Sequence, residues 1–166
     1  ILTAHLDHVG RKGDDIYNGA DDDGSGSMAL LEIAQAFKLA VLDGYRPKRS
    51  IVILHVSAEE KGLLGSKYYV ENPLFPLEDT ITNLNIDMIG RTDPTRDSKN
   101  DHYIYLIGTD RLSSMLHETS EKVNERTVNL ELDYRFNAWD DPNRFYFRSD
   151  HFNFAKNNIP VIFYFS

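Results

Sequence analysis

The sequence predicts an α/β protein, a three-layer sandwich around a mixed and mostly parallel central sheet. Short apolar, β-branched runs alternate with helix-forming segments along the 166 residues, an order typical of parallel sheets with crossover helices. Hydrophobic residues make up 41% and charged residues 27% of the chain, as in ordinary globular proteins. No repeat or low-complexity segment interrupts this order, so residues 1–166 are expected to form one domain.

The first half of the chain predicts three strands and two helices. An apolar run at 1–6 indicates a buried strand, and the polar loop after it leads into a helix at 25–42, capped by Ser25 or Ser27 and ended by Gly44. The continuous run SIVILHVS at 50–57 is typical of a strand buried on both faces. The remaining elements are a short helix at 62–72 and a strand at 82–90.

The second half continues the alternation and ends within a strand. Its elements are a strand at 102–108, a helix at 111–126, a possible strand in VNLELDY, a loop in NAWDDPNRFYF, a helix in SDHFNFAKNN and a strand at 159–165. Both ends, ILTAHL and IPVIFYFS, lie inside apolar runs, and the chain has no initiator Met or signal peptide. We therefore expect this sequence to be a piece of a longer protein.

Charge and composition exclude several function classes. The formal charge is −8 and no Lys/Arg cluster is present, which argues against nucleic-acid binding. No continuous apolar run reaches the roughly 18 residues that span a bilayer, so no membrane span is expected. The absence of cysteine excludes disulfides and thiolate metal sites.

Acidic residues follow the predicted strands at the places where those strands end. Asp7 comes two residues after His5, Glu59 and Glu60 follow the strand at 50–57, and Asp87 interrupts an apolar run. The carboxyl ends of parallel strands meet at one crevice. Several buried, unpaired carboxylates would each cost several kcal/mol there without a compensating charge.

The simplest compensation is a pair of divalent cations. Carboxylates combined with imidazole favour Zn²⁺, with Mn²⁺ or Co²⁺ as substitutes, whereas the spacing does not match a calcium-binding EF-hand. The loop NGADDDGSGS places three adjacent aspartates, Asp21, Asp22 and Asp23, between glycines. One of the three is expected to bridge the two metals.

Five motifs, taken together and in order, resemble the M28 zinc metallopeptidases, the aminopeptidase Y-like enzymes with two co-catalytic metals. They are HLDH (5–8), GADDDGSG (19–26), SAEEKGLLGS (57–66), NIDMIGR (85–91) and SDH (149–151). The resemblance covers nearly the whole chain and implies a zinc-exopeptidase fold, a peptide substrate and a secreted or periplasmic location.

The resemblance also implies a role for each acidic position. His5 and Asp87 would bind the first zinc, Asp22 would bridge both metals, and Glu60 would bind the second zinc. The resemblance also implies a cis peptide bond between Asp22 and Asp23. Asp7 would orient the His5 imidazole, and Glu59 would be the general base that takes a proton from a metal-activated water. The implied activity is that of an aminopeptidase.

In the resembled family a histidine of the second metal lies downstream of the final strand, beyond Ser166. The resemblance therefore implies two zincs in the full-length protein, but one in the isolated chain, which would be weakly active or inactive. His151 is a candidate replacement ligand, or else lines the substrate cleft. His8 is expected either to hydrogen-bond beside the site or to be exposed. Two alternatives stay open: a one-zinc glutaminyl cyclase, and a non-catalytic binding module on a peptidase fold.

Overall fold

Strands and helices alternate along the chain in the computed structural model, which describes residues 1–96 and 100–166. The strands are β1 (Leu2–His5), β2 (Gly10–Lys12), β3 (Asp15–Tyr17), β4 (Ile53–Val56), β5 (Asn83–Ile86), β6 (Tyr103–Ile107), β7 (Glu131–Asp133) and β8 (Val161–Phe165). The helices are α1 (Gly24–Leu42), α2 (Leu64–Glu71), α3 (Ser114–Arg126) and α4 (His151–Ala155), with 3₁₀ turns at Leu77–Asp79 and Phe145–Phe147.

Within these ranges, the central sheet has six strands in the order β4–β1–β5–β8–β6–β7. The first four of these are parallel to one another, β6 runs antiparallel to β8, and β7 is parallel to β6. The sheet is therefore mixed and mostly parallel, and the predicted fold class is confirmed. Because β4, β1 and β5 point the same way, their carboxyl ends meet at one edge of the sheet.

Apolar cores on the two faces of the sheet give the fold its three layers. On one face, Leu30 of α1 packs with Ala4 of β1 and Ile86 of β5. On the other, Phe154 of α4 packs with Val161 and other buried side chains of the second core. Strand β8 contributes to both cores because its successive side chains point to opposite faces.

Helix α1 begins where the aspartate triplet ends. Its N-cap is Asp23, whose carboxylate accepts a hydrogen bond from the Gly26 amide, so the predicted caps Ser25 and Ser27 are wrong. Ser27 instead donates a hydrogen bond to the carbonyl of His5, at 2.7 Å. The start of the helix is thereby tied to the end of β1, which brings the triplet to the carboxyl edge of the sheet.

Helix α1 is also the one described segment that meets the length and composition of a membrane-spanning helix. It has 19 residues and a mean hydropathy of 1.3 over its most apolar window, although Glu32 and Lys38 interrupt its apolar residues, so it is not a continuous apolar run. The helix nevertheless contacts β1, β4 and β5. Core helices of globular proteins pass the same test, and length and composition alone are weak grounds for a membrane span.

Two predicted features of the first half differ in the structure. Strand β4 lies at an edge of the described sheet, and its residues are half-buried except for Val56, so the prediction of a strand buried on both faces is wrong. The polar loop after β1 contains an exposed antiparallel hairpin, formed by β2 and β3. Its strands are only three residues long and exposed, and therefore lack the alternating apolar pattern that reveals a strand.

Candidate metal centre

The carboxyl edge of the sheet gathers the predicted acidic positions as expected. His5 is the last residue of β1, Asp87 directly follows β5, and Glu59 and Glu60 lie in the turn after β4. The triplet before α1 supplies Asp22 to the same place. Residues that are far apart in sequence therefore meet because four elements end or begin at one edge.

The first cluster surrounds the buried imidazole of His5. Its Nε2 atom lies 3.3 Å from Asp22 Oδ1 and 3.7 Å from Asp87 Oδ1. Burial alone would lower the pKa of His5, but the carboxylates of Asp22, Asp87 and Asp23 outweigh it and raise the pKa to about 12. Carboxylates that stabilise an imidazolium this strongly create a site for positive charge, which a metal ion at Nε2 would satisfy equally.

Two potential metal-ligand atoms in this cluster have no hydrogen-bond partner among the described residues, which fits a metal site. His5 Nε2 and Asp87 Oδ1 are both buried and have no hydrogen-bond partner among the described residues. The other ring nitrogen, Nδ1, lies 2.9 Å from the carbonyl oxygen of Asp7. Because a carbonyl can only accept, Nδ1 carries the proton and Nε2 is left to face the two carboxylates, in the arrangement common to histidine ligands of zinc.

Asp22 and Asp23 have different surroundings although they are neighbours joined by a cis peptide bond. The Asp23 carboxylate accepts hydrogen bonds from three backbone amides, those of His5, Gly26 and Met88. Asp22 instead directs Oδ1 towards His5 and Oδ2 towards His8, whose Nδ1 atom is 3.8 Å away. Asp22 therefore faces both imidazoles, while the Asp23 carboxylate is held by backbone amides and also lies within ligand distance of His5 and Asp87.

A second cluster lies on the other side of Asp22. It comprises His8, Asp22 and Glu60, whose potential ligand atoms lie within 4.8 Å of one another. His8 Nδ1 and Glu60 Oε1 are 2.8 Å apart. The resemblance implies that Glu60 binds a second metal, and in the structure its carboxylate lies in the same cluster as that of Asp22.

Asp7 organises the site in a different way from the one expected. Its carboxylate oxygens accept hydrogen bonds from the backbone amides of Glu59 (3.1 Å) and Glu60 (3.3 Å). The nearer oxygen is 3.7 Å from His5 Nδ1, whereas the Asp7 carbonyl makes the closer contact with that imidazole. Asp7 therefore orients His5 through its main chain and fixes the Glu59–Glu60 turn through its side chain.

A buried chain of polar side chains holds Asp87. Ser149 donates to Asp87 Oδ2 at 2.7 Å and accepts from the Asn85 amide at 2.8 Å. The Thr3 hydroxyl in turn donates a hydrogen bond to the side-chain oxygen Oδ1 of Asn85, at 2.6 Å. Because Oδ2 is occupied by Ser149, Oδ1 is the oxygen left to face His5.

Replacing Ser149 with alanine should weaken both the fold and metal binding. The variant leaves the buried Asn85 amide and Asp87 Oδ2 without their partner, which should lower the free energy of unfolding by about 1–3 kcal/mol. The loss of a group that orients a metal ligand should lower zinc affinity about 10- to 100-fold. Urea denaturation and competitive zinc titration measure the two effects, and exposed Ser50→Ala is the matched control. Unchanged zinc affinity would contradict the orienting role.

The half-buried Glu59 and the fully buried Asp150 both have raised pKa values. Burial, reinforced by the charges of Asp87, Asp150 and Glu60, raises the pKa of Glu59 to about 8 against the opposing effect of His5. Burial also raises the pKa of Asp150 to about 6. Asp150 is fully buried, and neither of its oxygens has a hydrogen-bond partner within the described ranges. Asp150 belongs to the SDH motif, but the family resemblance implies no role for it.

His151 lies in the aromatic core and not in a cleft. Its side chain is fully buried, stacks on Phe163 with ring centroids 4.8 Å apart and meets Tyr146 edge-on. It belongs to neither cluster of potential metal ligands. The expectation that it lines the substrate cleft is therefore wrong, and the structure gives no support for it as a replacement ligand.

The buried His151 should make the protein less stable in mild acid. Burial lowers its pKa from 6.5 to about 3, so below pH 6.5 the unfolded chain binds a proton that the folded protein does not. The free energy of unfolding should therefore decrease as the pH falls, by up to about 1.4 kcal/mol per pH unit from this residue.

Denaturation of metal-free protein between pH 6.5 and 5 measures this effect. His151→Phe should lose that component of the pH dependence, and exposed His102→Phe is the matched control. Equal slopes for wild type and His151→Phe would show that His151 titrates normally in the folded state.

Comparisons with known proteins agree with this geometry. The sequence pattern of Peptidase family M28 matches residues 1–166. A probable zinc metalloprotease of Pyrenophora tritici-repentis is 33% identical over 138 residues, which cover 76% of this chain and 26% of that protein. Leupeptin-inactivating enzyme 1 of Streptomyces exfoliatus is 41% identical over 95 residues, which cover 57% of this chain and 20% of that protein. The chain thus spans about a quarter or a fifth of these relatives.

Solved structures show the same fold. BSAP, a zinc aminopeptidase from Bacillus subtilis, matches with a TM-score of 0.69 and 27% sequence identity, covering 99% of this chain and 35% of that one. The LapA aminopeptidase of Legionella pneumophila matches with a TM-score of 0.66 and 24% identity, covering 99% of this chain and 39% of that one, a likeness of fold. The chain therefore belongs to peptidase family M28, and it has the same fold as the zinc aminopeptidase BSAP.

Proposed function

We propose that the whole protein is a zinc-dependent exopeptidase that removes N-terminal residues from peptides, with Glu59 as the general base. The observation that carries the proposal is Asp22, whose two carboxylate oxygens face two different imidazole-containing clusters. A carboxylate in this position suits a two-metal site, and His5, Asp22, Asp87 and Glu60 are its proposed ligands. When bound there, zinc ions acidify a water molecule and polarise the scissile carbonyl.

Glu59 would move the proton in this reaction. Its backbone is fixed by the Asp7 carboxylate, and burial and neighbouring acids raise the pKa of its carboxyl in the metal-free site. A side chain with a pKa close to the working pH can both accept and release a proton. Glu59 would take the proton from the attacking water and return it to the leaving amine.

The preference for free N-termini rests on the relatives. BSAP is named a zinc aminopeptidase, and a relative from rat is named an aminopeptidase, whereas relatives from Arabidopsis thaliana and maize are named probable glutamate carboxypeptidases. BSAP, which is one of the proteins named aminopeptidases, matches nearly all of this chain in structure. Removal of N-terminal residues is therefore the activity that we propose.

A panel of peptides with free and blocked ends tests this proposal in the whole protein. We expect release of free amino acids from aminoacyl nitroanilides, no release from N-acetylated analogues, loss of activity with a chelator and recovery with zinc. Cleavage that requires a free C-terminus would contradict the aminopeptidase assignment. Cyclisation of an N-terminal glutamine without peptide hydrolysis would instead favour a glutaminyl cyclase.

A further inference from the structure

The second cluster contains a nitrogen donor that the family resemblance does not assign to a metal. His8 Nδ1 lies 2.8 Å from Glu60 Oε1 and 3.8 Å from Asp22 Oδ2. Its side chain is 19% exposed and that of Glu60 is 20% exposed, so both groups are largely removed from water. The cluster therefore has three donor side chains: one imidazole and two carboxylates.

The contact between His8 and Glu60 is close but is not a hydrogen bond. Both His8 Nδ1 and Glu60 Oε1 are buried and have no hydrogen-bond partner in the part of the chain that the structure describes, although they are 2.8 Å apart. The ring nitrogen and the oxygen thus approach each other without the N–H aiming at the acceptor. Neighbouring ligands of one cation have this relation, because each directs its lone pair at the ion between them.

The backbone of the aspartate loop holds His8 in this position. Gly19 has a φ of +67°, and a Cβ built on it would lie 2.7 Å from the Cβ of His8. A side chain at position 19 would therefore displace His8, and the glycine allows the loop to pack directly against it. The Tyr17 ring on the hairpin also lies beside the imidazole, with centroids 6.3 Å apart.

We propose that His8 Nδ1 is the third protein ligand of the second zinc, together with Asp22 and Glu60. Two carboxylates and one imidazole form the kind of three-ligand set that leaves a coordination position open in catalytic zinc sites. The proposal rests on the proposed two-metal function. It replaces the expectation of a single zinc, because this chain itself supplies a third donor to the second site.

Zinc titration of His8 variants of this 166-residue chain, which lacks the downstream histidine implied by the family resemblance, tests this assignment. Wild type should bind two zincs, whereas His8→Ala should keep the first and lose at least 100-fold in affinity for the second. His8→Asn is the discriminating variant, because its amide can donate a hydrogen bond to Glu60 but is a poor zinc ligand. Second-site affinity as weak in His8→Asn as in His8→Ala supports a ligand, and wild-type affinity in either variant overturns the proposal. Exposed His102→Ala is the matched control.

Cadmium-113 NMR gives a readout that does not depend on activity. With ¹⁵N-labelled histidine and two ¹¹³Cd ions bound, we expect direct ¹⁵N–¹¹³Cd couplings at His5 Nε2 and at His8 Nδ1. Coupling at His5 without coupling at His8 would overturn the His8 proposal and leave the first metal site standing. Absence of coupling at both would contradict the proposed metal centre itself.

Discussion

Replacing Glu59 with glutamine should lower kcat for peptide hydrolysis by about 10²- to 10⁴-fold, which is the usual contribution of a general acid–base group. Glutamine has nearly the same shape but cannot accept a proton. Because Glu59 is not among the proposed metal ligands, zinc content should stay at the wild-type value and KM should change little. Steady-state kinetics on an aminoacyl nitroanilide, combined with metal analysis of the same sample, measures all three quantities.

The control for this variant is Glu32→Gln, which makes the same chemical change on an exposed position of α1. It should retain wild-type kcat. Near-wild-type activity in Glu59→Gln would show that another group takes the proton. A fall in activity that is matched by loss of zinc would instead assign Glu59 to metal binding.

Replacing Asp22 with asparagine should have the largest effect on metal binding, because its two carboxylate oxygens face His5 and His8. A ligand that binds only the folded state stabilises it by about 4 kcal/mol at 1,000 times its dissociation constant. Wild type should therefore show a clear increase in Tm on addition of zinc. Asp22→Asn should lose most of that increase, since an amide is a weaker ligand than a carboxylate and carries no charge.

Asp14→Asn is the matched control, because Asp14 is fully exposed and pairs only with Arg11 among the described residues. Thermal denaturation of each protein with chelator and with added zinc gives the comparison. A zinc-dependent increase in Tm that is as large in Asp22→Asn as in wild type would exclude Asp22 as a shared ligand.

The sequence predicts this site well because its residues occupy the ends of regular elements. His5, Asp87 and Glu60 follow apolar runs that form parallel strands, and parallel strands bring their carboxyl ends together whatever the loops do. Their convergence was predictable for this reason, as was the triplet at the start of α1. The burial of the strand at 50–57 on both faces was predicted wrongly, because an apolar run does not show whether strands pair with it on both sides or on only one side.

The remaining features depend on tertiary packing, which the sequence does not display. His8 lies in a loop, and its approach to Glu60 depends on the close packing of Gly19. Ser149 reaches Asp87 across 62 positions because α4 packs against the sheet. His151 follows Ser149 by only two residues, yet it points into the aromatic core. Neighbours in one motif thus separate into a positioning residue and a core residue.

Anomalous scattering at the zinc edge, from a crystal soaked in zinc, tests the central claim most directly. The claim is that bound cations hold the acidic side chains together at the carboxyl edge of the sheet. It predicts an anomalous peak about 2.0–2.2 Å from His5 Nε2 and from carboxylate oxygens of Asp22 and Asp87. The His8 proposal adds a second peak between Asp22 and Glu60. Zinc bound only elsewhere, with His5, Asp22 and Asp87 all uncoordinated at saturating zinc, would contradict the central claim.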